Sequence, residues 1–269
     1  MAYAKEFASD VETILSHRHD NGADLWATPD KRLIVGSPFQ TLQCPMYLLE
    51  LGMDPQDPIL SKTADLIFSV WQEDGRFKLY PKGSAYPCHT ANAANVLCHL
   101  GHVSDPRMQK TLAHLLEIQW HDGGLRCEKF FFGRGPETDF SNPNPTLMAL
   151  SAFRFAPNYA GDPRLDAAVE SLLRHWESKK PIGPCHYGIG TLFMQVGYPF
   201  ANYNLFEYVY VLSFYKKARV DARFLEAFAA LEERTVDGQI LVERVVPKLA
   251  KLNFCKKGKS SATATARYR

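Results

Sequence analysis

The 269 residues carry 31 Lys+Arg against 29 Asp+Glu, a formal net charge of +2, and 46% of them are apolar. So even a balance supplies no general attraction to a polyanion, which argues against nucleic acid as a partner, while the length and apolar content suffice to bury a large core. Six cysteines are too few for a disulfide framework at this size, and no run approaches the roughly 20 apolar residues that cross a bilayer, so a reducing cytoplasm is the expected compartment and membrane contact at most peripheral.

Residues 3–17 read as a first helix, with Phe7, Val11, Ile14 and Leu15 on one side and Lys5, Glu6, Asp10 and Glu12 breaking any signal-peptide core. A loop to about Ser37 leads to a helix over 39–51, closed by Leu51-Gly52. Asp57-Pro58 then opens a segment that stops at Trp71-Gln72-Glu73-Asp74-Gly75, and a helix over 90–100 follows. Asp105-Pro106-Arg107 opens the next, stopping at Gln119-Trp120-His121-Asp122-Gly123 before a polar connection, Cys127 to Pro145, and a helix over 146–154. Asp162-Pro163-Arg164 opens another that stops at Lys179-Lys180-Pro181. After Pro181 to Phe200, dense in Gly and aromatics, an apolar helix is expected over 203–215; Asp221-Ala222-Arg223 opens the last segment, which stops at Val236-Asp237-Gly238. Gln239 to Val246 reads as a strand or irregular segment, and Ser260 to Thr265 as a short helical start. The basic run Lys248, Lys251, Lys256, Lys257, Lys259, Arg267 and Arg269 reads as a solvated tail.

The marks repeat. Opening to closing Asp spans 17 residues in the Asp57 and Asp105 segments and 16 in the Asp221 segment, and the opening Asp recurs after 48, 57 and 59 residues. An Asp side chain accepts from otherwise unpaired first-turn amides, and Pro beside it surrenders only an amide the helix has no use for. Gly after Asp permits positive φ and ends the helix.

Two helix types alternate. Those at 3–17, 58–71, 106–119, 164–177 and 222–234 have a polar face, whereas those at 39–51, 90–100, 146–154, 203–215 and the tail are nearly free of charge. Helices with a wet face belong outside and those without one inside. The expectation is an all-α fold, an α/α toroid of about five helical hairpins with inner and outer rings, forming one domain over 1–269 whose last inner helix is short. A straight solenoid of hairpins is the competing arrangement.

Gln119-x-x-Asp122-Gly123 and Gln72-x-Asp74-Gly75 resemble the repeat of the squalene cyclase and protein prenyltransferase superfamily, and Lys259-Ser260-Ser261 through Thr265 and Arg267 resembles the start of a final inner helix in such chains. The resemblance implies a toroid whose central cavity accepts a long, isoprenoid-like apolar molecule. The Asp-x-Asp-Asp acid motif of its cyclases does not occur here. Gly123-Gly124-Leu125-Arg126 through Asp139-Phe140 is similar to the approach to the zinc-binding His of its prenyltransferases, but Asn142 occupies the His position.

Function is expected where the inner helices start. Between Arg134 and Pro145, Glu137 or Asp139 would serve as a catalytic acid if desolvation raised its pKa, with Arg134 or Asn142 orienting a polar end of the substrate. Asp139 or Asn144 would equally serve as a cap. His89 and His186 face the same centre, and Tyr203 and Phe206 would line the apolar part. Cys88-His89 and Cys185-His186 are a weaker zinc set, since adjacent ligands strain one site and the spacing matches no common pattern; no metal or cofactor is expected. A non-catalytic binding or scaffolding module and a zinc-dependent enzyme are the alternative functions, and oligomeric state is left open.

Overall fold

The computed structural model describes residues 5–269, which are mostly helical with little strand. The principal helices are Ala8–Ser16, Cys44–Glu50, Pro58–Phe68, Pro87–His99, Pro106–Glu117, Pro143–Phe153, Pro163–Ser178, Leu205–Leu212, Ala222–Glu232 and Ala262–Tyr268. Every element expected from the sequence is present, although the expected start at residue 3 falls outside the described residues. Boundaries shift where Pro begins a helix: Pro87 and Pro143 start theirs three residues early, and Pro45 in the first turn starts Cys44–Glu50 late. Asn204 caps Leu205–Leu212 by accepting from the Glu207 amide at 3.0 Å, which shortens the expected 203–215 helix.

The four expected Asp caps accept from the amide two residues on: Asp57 from Ile59, Asp105 from Arg107, Asp162 from Arg164 and Asp221 from Arg223, at 2.8 to 3.0 Å. Where that residue is Arg, its guanidinium folds back on the same carboxylate at 2.7, 2.7 and 2.8 Å. Gly75, Gly123 and Gly238 take positive φ at the stops. Lys179 ends Pro163–Ser178 in the left-handed region instead, at φ 55°.

Burial separates the two helix types. Pro143–Phe153 buries nine of its eleven residues and Leu205–Leu212 seven of eight, against five of twelve for Pro106–Glu117. Each buried Leu, Val or Phe contributes roughly 1.5–3 kcal/mol relative to exposure, so the dry helices are held by packing rather than by propensity. Dry helices touch in chain order: Cys44–Glu50 packs on Pro87–His99, that on Pro143–Phe153, and that on Leu205–Leu212. The wet helices Pro106–Glu117, Pro163–Ser178 and Ala222–Glu232 each pack on the dry helix before them in the chain.

Between repeats the stops do the joining. Gly75 abuts the Lys110 carbonyl and Gly123 the Ala167 carbonyl, where an added Cβ would stand 3.0 and 2.5 Å away. Gln119 Nε2 donates to the Gly123 and Arg164 carbonyls, both at 2.9 Å, and Trp71 Nε1 donates to Thr111 Oγ1 at 3.1 Å. The expected strand at 239–246 is two short pieces: Gln239–Ile240 pairs antiparallel with Thr235–Val236, and Arg244–Val245 pairs parallel with Gly197–Tyr198.

The first and last parts of the chain meet. The buried Asp10 carboxylate accepts from the Asn253 amide, the Asn253 side chain and the Phe254 amide at 2.8 to 3.0 Å, and Phe7 lies edge-on to Phe254. Removing that acceptor leaves amides without a partner, so Asp10→Ala is expected to lower unfolding stability by about 3 kcal/mol in chemical denaturation, with Asp10→Asn losing less.

Candidate functional site

Five dry segments converge on one cavity of about 450 Å³. Cys44–Glu50 contributes Met46, Tyr47, Leu49 and Glu50; His99 and Arg154 stand at the ends of the next two dry helices. Leu205–Leu212 adds Glu207 and Tyr210, the last helix adds Thr263, Ala266 and Arg267, and Tyr198 to Ala201 close the wall. Of the lining residues, Ala266 is exposed.

Four formal charges line this mostly apolar space. Arg267 donates to Glu207 at 2.7 Å, with side chains only 23% and 10% exposed, and its guanidinium lies over Phe206 and Tyr210. Glu50 accepts from Thr263 Oγ1 at 2.8 Å. Burial raises the Glu50 pKa, an effect that nearby Arg267 and Thr263 only partly offset. Arg154 donates to His99 Nε2 at 2.7 Å, while His99 Nδ1 lies 2.8 Å from the Asn95 carbonyl. The carbonyl requires the proton on Nδ1, leaving Nε2 as the acceptor for Arg154. Two further polar atoms on this wall, Tyr198 Oη and Arg154 Nε, are buried without a hydrogen-bond partner among the described residues.

The residues singled out in the sequence lie mostly elsewhere. Arg134 and Asp139 are exposed, and the Asp139 carboxylate is 3.4 Å from His121 Nε2. Glu137 accepts from the Gly135 amide at 3.0 Å, and its own turn amides hold its pKa below the usual range, opposite to the shift expected of an acid. Neither carboxylate is buried, although burial is what the acid role was expected to rest on. Neither Asp139 nor Asn144 caps Pro143–Phe153: the N-cap residue is Asn142, whose fully buried side chain instead clamps Cys185, accepting from its amide at 3.0 Å and donating to its Sγ at 3.5 Å. His186 faces Glu137 at 4.0 Å, and His89 sits between Tyr80 and Tyr86. Tyr203 pairs through its hydroxyl with His175 Nδ1 at 2.6 Å and packs on Phe193. Phe206 alone of the list backs the cavity, through Phe200, Tyr210 and Arg267. Arg267, expected in a solvated tail, is an enclosed partner of Glu207.

Of the four weaker zinc ligands, Cys185 instead faces Cys127, with Cys88 nearby; the Cys185 thiol and the Phe130 and Lys129 amides pull the Cys127 thiol well below its usual range. Among the described residues no three His, Cys, Asp or Glu side chains form a group able to hold a metal ion. No helix among them is long and apolar enough to cross a membrane. No protein-family model matches the chain, and no curated protein matches it significantly.

Burial, aided by the adjacent Arg154, depresses the His99 pKa to about 3. A depressed folded-state value means the unfolded chain takes up the proton first, so this contribution to stability is complete above the ordinary value of 6.5 and declines as pH falls toward 3. His99→Gln keeps an acceptor for Arg154 without titrating; denaturation at pH 7 and pH 5 should show a smaller loss of stability on acidification in this variant than in the parent.

Proposed function

We propose that the chain is an α/α toroid of about five hairpins, of the kind found in the squalene cyclase and prenyltransferase superfamily, whose central cavity binds or acts on an isoprenoid-like apolar molecule, with Glu50 as the acid. The ring arrangement is supported by dry helices that touch in chain order and by the junction of Asp10 with Asn253 and Phe254. A straight solenoid keeps its ends apart. The Gln-Asp-Gly turns that carry the resemblance are also the contacts between successive wet helices.

One observation carries the functional reading: a carboxyl whose pKa is raised by burial lines a cavity walled by Met46, Leu49, Phe200, Tyr198 and Tyr210. A carboxyl whose hold on its proton is strengthened by burial suits delivery of a proton to a weakly basic alkene or ether, and aromatic faces steady the cation that results. The Tyr198 hydroxyl, buried, without a partner and electrostatically coupled to Glu50, is available to a polar ligand atom. A cavity of this size falls within the ordinary range for small-molecule sites. The reading as a binding or scaffolding module draws on a different surface, the ring cluster Phe130, Phe131 and Phe132, which are 49%, 56% and 69% exposed.

Mass spectrometry of small molecules extracted from the purified protein tests the first reading. A stoichiometric apolar compound is expected, and Glu50→Gln should retain it while losing at least about 100-fold in turnover of that compound. Unchanged turnover removes Glu50 from the mechanism. An empty extract, together with no binding of added farnesol, leaves the scaffold reading in place of the cavity one.

A further inference from the structure

We infer that the cavity's ligand is an amphipathic monoanion, a carboxylic acid with an apolar tail, whose carboxylate docks on Arg154; this rests on the reading of the cavity as a ligand site. The Arg154 side chain is the cavity's uncompensated charge. Among the described residues it makes no ion pair, whereas Arg267 on the same wall is bonded to Glu207 and lies near Glu50. Its surroundings are neutral: His99 on one nitrogen, and the rings of Phe155, Tyr210 and Phe214 at 4.6, 4.9 and 4.5 Å. Ring faces soften the cost of enclosing a cation but do not supply a counter-charge. Its buried Nε has no hydrogen-bond partner, and buried N–H groups in native proteins are nearly always paired.

A guanidinium presents parallel N–H groups at the spacing of the two oxygens of one carboxylate. His99 holds the fork from one side and, with its pKa pushed to about 3, adds no second positive charge near neutrality. One free cation thus matches one negative charge. A diphosphate carries more, and it would approach a wall that also bears the Glu207 carboxylate. Beyond Arg154 the cavity offers Met46, Leu49, Phe200 and Ala266 to an apolar tail. Arg154 also borders a second depression, lined by Phe153, Leu165 and Phe214 and by Asp162, Asp166, Lys216, Lys217 and Arg219, whose carboxylates would oppose an anionic ligand.

Calorimetric titration of the full chain with farnesoic acid, farnesol and farnesyl diphosphate tests the inference, because the three probes share one tail. The acid should bind about 10- to 100-fold more tightly than the alcohol. Arg154→Gln should bring the acid down to the level of the alcohol and leave alcohol binding within about threefold, and Arg154→Lys, which keeps the charge but loses the fork, should fall between. Equal binding of acid and alcohol by the parent protein overturns the inference while sparing the cavity, and needs no variant to fold. So does tighter binding of the diphosphate than of the acid, or a preference for the acid that survives in Arg154→Gln. Failure of all three probes to bind overturns the cavity reading as well.

Discussion

Successive repeats approach one another backbone against backbone. Where the Asp122 turn meets the next capped helix, the Ala167 carbonyl occupies the space in which a Cβ on residue 123 would stand, and Gly75 meets Lys110 in the same way. Lys110 is the fifth residue after the opening Asp105, and Ala167 the fifth after Asp162, so both contacts share one register. Glycine is needed at these turns twice over, for its positive φ and for the missing side chain. Each stop therefore fixes how far, and at what height, the next wet helix lies. The Asp caps then set where that helix begins. Gly238, after the last wet helix, has nothing within 4 Å of its Cβ position, in keeping with a turn after which no Asp-capped helix follows among the described residues.

With the wet helices spaced in this way, their dry partners are forced together, and the charges on them acquire meaning. An enclosed pair such as Arg267 and Glu207 returns little net stability, because two desolvation costs offset the attraction. Leu or Met at those positions would pack as well without that cost. Four formal charges among the walls of one cavity, together with partnerless Tyr198 Oη and Arg154 Nε, are thus poorly explained by stability alone. They are better explained by a ligand that completes them.

The helices and their ends were legible because their signals are local and recurrent. Asp before Pro, Gly after Asp and the alternation of charged with uncharged helices each act within a few residues, and each reappears in the structure. The cavity was not legible for the opposite reason. Glu50, His99, Arg154, Glu207 and Arg267 are lone polar residues on five different helices, and nothing in their spacing announces that they meet. Arg267 was further masked by the basic residues around it. The segment from Arg134 to Pro145 stood out as unusual, and in the structure its polar groups bond locally: Glu137 binds its own turn, Ser141 donates to the buried Asp122, and Asn142 clamps Cys185. A helix that is dry all round but ends on a single charged residue, as Cys44–Glu50 does, was the available signal.

Pro87–His99 and Pro143–Phe153 connect two chemically different ends. At their N-termini lie Cys88 and the Asn142 clamp on Cys185, with Cys127 alongside; at their C-termini stand His99 and Arg154, joined across the cavity wall. At 1.5 Å per residue, the 13 residues of Pro87–His99 put those ends about 18 Å apart. No direct electrostatic contact spans that distance through packed protein. Among the described residues the two helices make the most extensive helix–helix contact and carry no exposed residue, so close packing holds them as a unit. A close-packed pair of this kind holds His99 and Arg154 in fixed register, which is the preorganisation that the proposed recognition of a carboxylate by a single unpaired guanidinium requires.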